Sequence, residues 1–256
     1  MIRSLTRPAA IGGLIVAATG FAALAALAAA PSGPAQGDVS VLMMPVPTPQ
    51  TATVAPAFAP PSGPLSPPSR VAAGWVADTS TRTGIGAVAL RAYAEAELRM
   101  AEEAPACRLG WTTLAGIGWV ESQHGTLDGN ALLADGRSRE PILGPALDGS
   151  EGVAALPSSP EDSAVHGDAV WDRAVGPMQF IGSTWARWGS DGDGDGSSDR
   201  TDIDDAAYAA ARYLCSNGDD LTTGSGWTAA VRSYNHSDAY VAAVLAAADE
   251  YGGRAG

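Results

Sequence analysis

Glu121 is the residue whose type and surroundings most directly suggest chemistry. Leu114, Ile117, Gly118 and Glu121 recur at offsets of three and four residues, so one face of a helix would be apolar and end in a carboxylate. Gly125 stands where a left-handed helix cap is expected, which puts Glu121 in the last turn. Apolar neighbours and the negative end of the helix dipole both disfavour the ionised form, so we expect a raised pKa and a general acid. The alternative is an exposed glutamate at a helix end.

A second chemical pattern occupies residues 191–202, D-G-D-G-D-G-S-S-D-R-T-D, which we call the acidic loop. Aspartates at alternate positions followed by a glycine at the sixth are typical of an EF-hand-like calcium loop. The expected oxygen ligands are Asp191, Asp193 and Asp195, with Ser197 next in the loop. The loop departs from the standard pattern because position eight is serine and position twelve is not glutamate. A flexible, solvated acidic loop is the alternative.

The first 70 residues do not have the composition of a folded domain. Residues 1–8 carry two arginines and no acid, and residues 9–30 are uncharged and end in small residues. This pattern predicts an export segment over residues 1–30, either a cleaved signal peptide or a membrane anchor that acts through residues 9–30. Residues 31–70 are rich in proline and alanine, which favours a disordered linker. We therefore expect an exported protein of the cell envelope or exterior, with its folded domain over residues 71–256.

Charge and cysteine content narrow the partners and the compartment. The net charge is -13, which disfavours binding to nucleic acid or to an anionic membrane surface. Cys107 and Cys215 are the two cysteines, and no second pair suggests a zinc site. Because each lies at a predicted helix end in an exported domain, we expect them to form a disulfide.

The positioning elements are predicted to be mostly helices. Apolar spacing predicts helices from Gly84 to Pro105, around Glu121, from Ile203 to Leu214, from Trp227 to Asn235 and from Ser237 to Tyr251. Ser183 can also cap a short helix that holds Trp185 and Trp188. Residues 126–175 have no sustained period and many glycines, prolines and aspartates. We call this stretch the irregular lobe, and a stretch of this kind usually lines a binding site. The predicted fold class is mainly α.

Four motifs in order resemble the lytic transglycosylases of the membrane-bound type B family, and their exported actinobacterial branch in particular. They are G-I-G-W-V-E-S-Q-H-G, A-V-G-P-M-Q-F-I-G-S-T-W, the acidic loop, and S-Y-N-H-S. The likeness extends from Gly84 to Tyr251. One departure is Gly182, where many relatives have proline after M-Q-F-I.

The resemblance implies a lysozyme-like, α+β fold whose cleft binds peptidoglycan glycan strands. It implies that Glu121 is the lone catalytic acid and base, that Ser122 steadies it, and that Gln179 lies beside it. Tyr234 and Asn235 match the family's pair near the acid and the sugar. The expected reaction cleaves the MurNAc-GlcNAc bond by attack of the substrate's own C6 hydroxyl, gives 1,6-anhydroMurNAc ends, and needs no cofactor.

The resemblance also bears on the metal and on the assembly. In this family the loop runs longer than twelve residues, so Asp205, ahead of Asp202, is the expected closing ligand of a structural calcium ion. We expect a monomer.

Other interpretations remain open at the level of sequence. A lysozyme-type hydrolytic muramidase would need a second carboxylate, and the irregular lobe offers five candidates: Asp128, Asp135, Asp148, Asp168 and Asp172. A glycan-binding module without turnover is another alternative, as is an interaction module, although dockerins carry two such loops. Tyr234 could be only a core aromatic, and Gln179 only a loop amide bonded to backbone. His124 and His236 have no obvious partner and are expected on the solvated surface.

Overall fold

Helices dominate the described residues, 69–150 and 153–256, of the computed structural model. This confirms the predicted mainly α, lysozyme-like class. The helices are α1 (Ala73–Thr83), α2 (Ala87–Glu103), α3 (Trp111–Ser122), α4 (Pro160–His166), α5 (Gly182–Trp188), α6 (Ile203–Leu214), α7 (Gly224–Tyr234) and α8 (Asp238–Ala255). The predicted export segment and the linker, up to residue 68, lie outside the described residues. Within the described part, no helix is long and apolar enough to cross a membrane.

Helix α3 packs against three other helices. It contacts α8 most extensively, and also α2 and α6. Two glycines permit this close packing, since a side-chain carbon at Gly116 would lie 2.7 Å from the carbonyl oxygen of Val244, and one at Gly118 would overlap the hydroxyl of Tyr93. The glycines in the G-I-G motif therefore let α8 and α2 approach the helix that carries Glu121.

The predicted helices agree with the structure, and two further helices were not predicted. Helix α2 ends at Glu103, before Pro105, and the side chain of Ser237 caps α8 by accepting a hydrogen bond from Tyr240 N. The sequence pattern does not predict helix α1 because threonine and serine interrupt its apolar spacing. Helix α4 has only seven residues and is identifiable chiefly by its cap, where Ser159 accepts from Asp162 N before a proline at the first helical position.

The irregular lobe contains the only two strands of the described residues. Strands β1 (Leu143–Ala146) and β2 (Arg173–Val175) pair antiparallel, with Leu143 opposite Val175 and Ala146 opposite Arg173. A short core of Leu147, Val153, Ala174 and Ile181 lies beneath them. The lobe is thus held by a small sheet and its own apolar cluster, while most of its length is loop.

The end of α3 differs from the prediction in one detail. Glu121 is in the last turn as expected, but the left-handed conformation begins before Gly125: Gln123 has a φ of 52°, His124 of 61° and Gly125 of 80°. The amide of His124 donates to the carbonyl of Gly118 at 2.8 Å. The chain therefore turns sharply away immediately after the helix that carries Glu121.

The expectation that His124 lies on the surface is wrong. Its side chain is buried, with Nδ1 3.1 Å from the hydroxyl of Tyr93 and Nε2 2.8 Å from that of Tyr251. Burial lowers the pKa of His124 to about 3, so the ring is neutral and joins α2, the end of α3 and α8. The partners are 31 and 127 residues away in sequence, which is why sequence spacing did not reveal them. His236 is exposed, as expected.

The predicted disulfide between Cys107 and Cys215 is confirmed, with a Cα–Cα distance of 5.5 Å. It joins the turn before α3 to the residue that follows α6. The amide of Leu221 also donates to the carbonyl of Cys107 at 2.8 Å. The approach to the Glu121 helix is therefore fixed both covalently and by backbone hydrogen bonding.

Candidate active site

The carboxyl group of Glu121 is almost fully enclosed. The residue is 8% exposed, and its Oε1 accepts a hydrogen bond of 2.6 Å from the hydroxyl of Tyr240. Its Oε2 has no hydrogen-bond partner among the described residues. One oxygen is thus held by the protein, and the other is buried without a hydrogen bond in the described structure.

Burial changes the protonation of this carboxyl. It raises the pKa of Glu121 to about 8, while the hydrogen bond from Tyr240 acts in the opposite direction by favouring the ionised form. At neutral pH Glu121 therefore carries a proton. The expectation of an exposed helix-end glutamate does not describe this residue, and a buried carboxylic acid with one free oxygen can act as a general acid.

Tyr240 is the site residue that the sequence did not reveal. It is fully buried in the first turn of α8, 119 residues after Glu121. Its position fits the apolar spacing of α8, which indicates a core residue and no more. A buried tyrosine hydroxyl usually needs a hydrogen-bond partner, and this is the signal that could have raised the question, although it does not identify the partner.

Tyr234 lies near the acid but makes its hydrogen bond elsewhere. Its hydroxyl donates to the carbonyl of Met178 at 2.8 Å. Burial, followed by the nearby charge of Glu121, raises the pKa of Tyr234 well above its usual value. Tyr234, the last residue of α7, therefore holds the turn that contains Gln179 near Glu121.

Gln179 lies in a tight turn over residues 176–180, in which the amide of Phe180 donates to the carbonyl of Val175 at 3.0 Å. Gln179 has a left-handed φ of 50°, and its Nε2 donates to the carbonyl of Gly176 at 2.9 Å. This side chain is thus bonded to its own turn. Met178 in the same turn is fully buried, so the turn is anchored between α3 and α7.

Ser122 and Asn235 both make backbone contacts. The hydroxyl of Ser122 donates to the carbonyl of Pro177 at 2.6 Å and accepts from the amide of Gly125 at 2.7 Å. It therefore ties the end of α3 to the Gln179 turn and makes no hydrogen bond to Glu121. Asn235 is 5% exposed, and its Oδ1 accepts from the amide of Ser237 at 3.1 Å.

A chain of aromatic rings leads away from the acid. Successive ring centroids are 5.3 Å apart from Trp185 to Phe180, 5.8 Å from Phe180 to Tyr234, 5.7 Å from Tyr234 to Tyr213 and 5.8 Å from Tyr213 to Trp188. These contacts pack α5, α6 and α7 around the Gln179 turn. Aromatic faces are also suitable surfaces for an amphipathic ligand such as a sugar.

A cavity of about 890 Å³ opens between α4, α5 and the acidic loop. Trp185 lines it, as do Asp162 and Arg200, which form an ion pair of 2.8 Å. A side-chain carbon at Gly182 would overlap the carboxylate of Asp162, so the glycine makes room for this pair. Glu121 does not line the cavity, which adjoins the aromatic chain at Trp185.

The acidic loop brings three carboxylates together. Oxygens of Asp191, Asp193 and Asp205 lie within 4.8 Å of one another. Asp205 comes from the first turn of α6, and burial raises its pKa to about 6. Converging carboxylate oxygens of this kind are the ligands that Ca²⁺ prefers, so the residues fit a calcium ion.

The other expected ligands of the acidic loop are oriented differently. Asp195 Oδ1 accepts from the amide of Ser197 at 2.7 Å, and its Oδ2 lies 3.8 Å from the guanidinium of Arg137. Asp202 caps α6 by accepting from the amide of Asp204. Asp205, the closing ligand expected from the sequence, lies with Asp191 and Asp193, whereas Asp202 lies at the helix cap.

Comparison with known proteins identifies part of the chain. Residues 163–233 match the family model described as "Transglycosylase SLT domain". This match supports a lytic transglycosylase family. The matched stretch includes the Gln179 turn and the acidic loop but neither Glu121 nor Tyr240. No curated protein and no solved structure matches the chain.

Proposed function

We propose that the chain is a peptidoglycan lytic transglycosylase of the membrane-bound type B family, in its exported actinobacterial branch. It would cleave the β-1,4 bond between MurNAc and GlcNAc and leave 1,6-anhydroMurNAc ends. The family match supports an enzyme that acts on peptidoglycan in the cell envelope. The disulfide is consistent with an oxidising compartment outside the cytoplasm.

The observation that carries the proposal is the state of Glu121. Its pKa of about 8 keeps the proton on the carboxyl at neutral pH. Tyr240 occupies Oε1, so the proton belongs on Oε2, which has no partner in the described structure. A buried donor without an acceptor is costly, and the glycosidic oxygen of a bound strand would supply that acceptor. Proton transfer from Oε2 to this oxygen breaks the bond to the leaving sugar.

Glu121 then has a second role as base. The oxocarbenium-like centre must be trapped, and ordinary glycosidases use a second carboxylate for this step. In the described chain, the hydroxyl of Tyr240 is the group that bonds to Glu121, and no hydrogen bond joins Glu121 to a second carboxyl group. The substrate's own C6 hydroxyl is the remaining nucleophile, and its attack is intramolecular. The ionised Glu121 takes the hydroxyl proton, which restores the acid.

The aspartates of the irregular lobe make poor substitutes for that second carboxylate. Asp172 accepts from the amides of Arg173 and Gly182 and lies 3.2 Å from His166 Nε2. Asp168 binds the guanidinium of Arg173, and backbone hydrogen bonds lower its pKa to about 2. Asp128, Asp135 and Asp148 are exposed. None has a hydrogen bond to Glu121 or Tyr240.

Around this acid, we assign positioning roles to the matched motif residues. Ser122 and Tyr234 hold the Gln179 turn against α3, through the carbonyls of Pro177 and Met178. Gln179 and Asn235 would contact the sugars at the edge of the site. We further propose that the protein acts as a monomer, and that residues 1–30 direct its export.

Mass spectrometry of the products from purified peptidoglycan tests the reaction. The expected result is anhydromuramoyl ends. They are about 18 Da lighter than reducing muramic acid ends because no water is added. Glu121→Gln should keep the fold and abolish product, whereas the exposed Glu140→Gln should remain active. Reducing muramic acid ends would instead establish a hydrolytic muramidase. Glycan binding without any product would establish a binding module.

We also propose that the acidic loop holds one structural calcium ion, through Asp191, Asp193 and Asp205, with Asp195 and Ser197 completing the set. Bound calcium would supply charge neutralisation and would take no part in the chemistry at Glu121. Calcium at millimolar concentration should raise the Tm relative to chelator, because a ligand that binds only the folded state stabilises it. Asp191→Asn should lose this response, and the exposed Asp249→Asn should keep it. An unchanged Tm in the wild type would contradict the proposal.

A further inference from the structure

Arg137 is held over the acidic loop by the backbone on either side of it. The amide of Ser138 donates to the carbonyl of Thr201 at 3.1 Å, and the amide of Ile203 donates to the carbonyl of Gly136 at 3.0 Å. Residues 136–138 therefore run like a short strand beside the end of the acidic loop. The position of Arg137 is fixed by backbone pairing as well as by its own side chain.

Gly136 makes this close approach feasible. It has a φ of 92°, and a side-chain carbon there would overlap the carboxylate of Asp202. Any other residue would be strained in this conformation and would push the segment away from the loop. The irregular lobe is thus fitted closely to the entrance of α6.

The guanidinium of Arg137 faces three aspartates of the loop. It lies 3.4 Å from Asp199, 3.8 Å from Asp195 and 3.9 Å from Asp202. Asp195 and Asp202 are positions five and twelve of the loop, which a standard calcium loop uses as ligands. Neither belongs to the three carboxylates that converge.

The acidic loop therefore has two sides. On one side, carboxylate oxygens of Asp191, Asp193 and Asp205 converge within 4.8 Å of one another, and the guanidinium of Arg99 donates to the backbone carbonyl of Asp191 at 3.1 Å. On the other, Arg137 supplies a positive charge to the remaining aspartates. Its side chain is 43% exposed and its contacts are long, so each ion pair is weak and readily exchanged.

We propose that Arg137 is a tethered cation that sets the affinity of the acidic loop for calcium. This inference rests on the proposed calcium site. Without calcium, Arg137 offsets the repulsion among the aspartates. A bound calcium ion would be repelled by the guanidinium, and Asp195 would have to leave Arg137 to become a ligand. The residue keeps the empty loop folded and lowers its affinity for calcium.

Calorimetric titration with calcium in low-salt buffer tests the proposal. Arg137→Gln should bind calcium about tenfold more tightly than the wild type, because both repulsion and competition are removed. Arg137→Lys keeps the charge and should bind within about twofold of the wild type. Arg139→Gln is the matched control, since Arg139 is exposed and forms no ion pair within the described residues.

A second measurement needs no metal. In chelator, Arg137→Gln should melt at a lower temperature than the wild type, and added sodium chloride should narrow the difference by screening the aspartates. Added calcium should remove or reverse this difference in melting temperature between Arg137→Gln and the wild type.

The calcium titrations of Arg137→Gln and the wild type have three informative outcomes. Calcium binding by Arg137→Gln but not by the wild type would support the proposal strongly. Equal affinities of the two proteins would overturn it and leave the calcium site standing. If neither protein binds calcium, both the site and the role of Arg137 are refuted, while product analysis still judges the enzyme separately.

Discussion

Replacing Glu121 by glutamine should make the protein more stable, by an amount that grows with pH. The folded-state pKa of Glu121 is about 8, compared with a value of 4.5 for an ordinary glutamate. Between these two values the unfolded chain releases the proton while the folded chain keeps it. The free energy of unfolding of the wild type therefore falls as pH rises through this window. Glutamine does not ionise, and its oxygen can still accept the hydrogen bond from Tyr240.

The size of the effect follows from the two pKa values. Relative to the wild type, Glu121→Gln should gain below about 1 kcal/mol at pH 5, about 2 kcal/mol at pH 6 and about 4 kcal/mol at pH 8, with little further gain above pH 9. For a domain of this size, about 4 kcal/mol corresponds to a rise in Tm on the order of 10 °C. The gain is the cost of keeping a carboxyl in a buried site.

Denaturant unfolding of both proteins at each pH measures the difference, in which contributions from other titrating groups cancel. Calcium or chelator must be held constant. Glu140→Gln, an exposed substitution, reports the effect of the amide change alone. A difference between Glu121→Gln and the wild type that stays constant from pH 5 to pH 8 would refute the reasoning. It would mean that Glu121 is ionised at neutral pH and cannot be the acid described above.

Three further perturbations follow from the structure. Tyr240→Phe removes the hydrogen bond that favours ionised Glu121, so the alkaline limb of the kcat profile should move up by about half to one pH unit and kcat should fall about tenfold; a shift to lower pH would contradict the assignment. Replacing both cysteines by serine should lower the free energy of unfolding by about 4 kcal/mol, measured without reductant, because the disulfide closes a loop with a sequence separation of 108. Gly182→Ala should cost about 2 to 4 kcal/mol in urea unfolding, since the added carbon displaces Asp162 from its ion pair. Gly252→Ala, where a side chain meets nothing, should be close to neutral, and equal effects of the two glycine changes would refute the explanation.

Local patterns along the chain were sufficient for most of the architecture. Apolar spacing and capping residues predicted α2, α3, α6, α7 and α8 because the residues that form these signals lie within a few turns of one helix. The cysteine pair could be assigned because the chain has only two. The raised pKa of Glu121 could be anticipated from its apolar neighbours, although the depth of its burial could not. Helices α1 and α4 were missed since polar residues interrupt the first and the second is too short to show a period.

Only the tertiary structure decided which distant groups meet. Tyr240 bonds to Glu121 and Tyr93 bonds to His124, and nothing in the local sequence around either tyrosine indicates its partner. The burial of His124 depends on partners from two other helices, and the position of Arg137 depends on backbone pairing with Thr201 and Ile203 at the end of the acidic loop. A sequence pattern records which face of an element is apolar, but a hydrogen bond or ion pair between elements depends on how those elements pack in three dimensions, and spacing along the chain does not encode that distance.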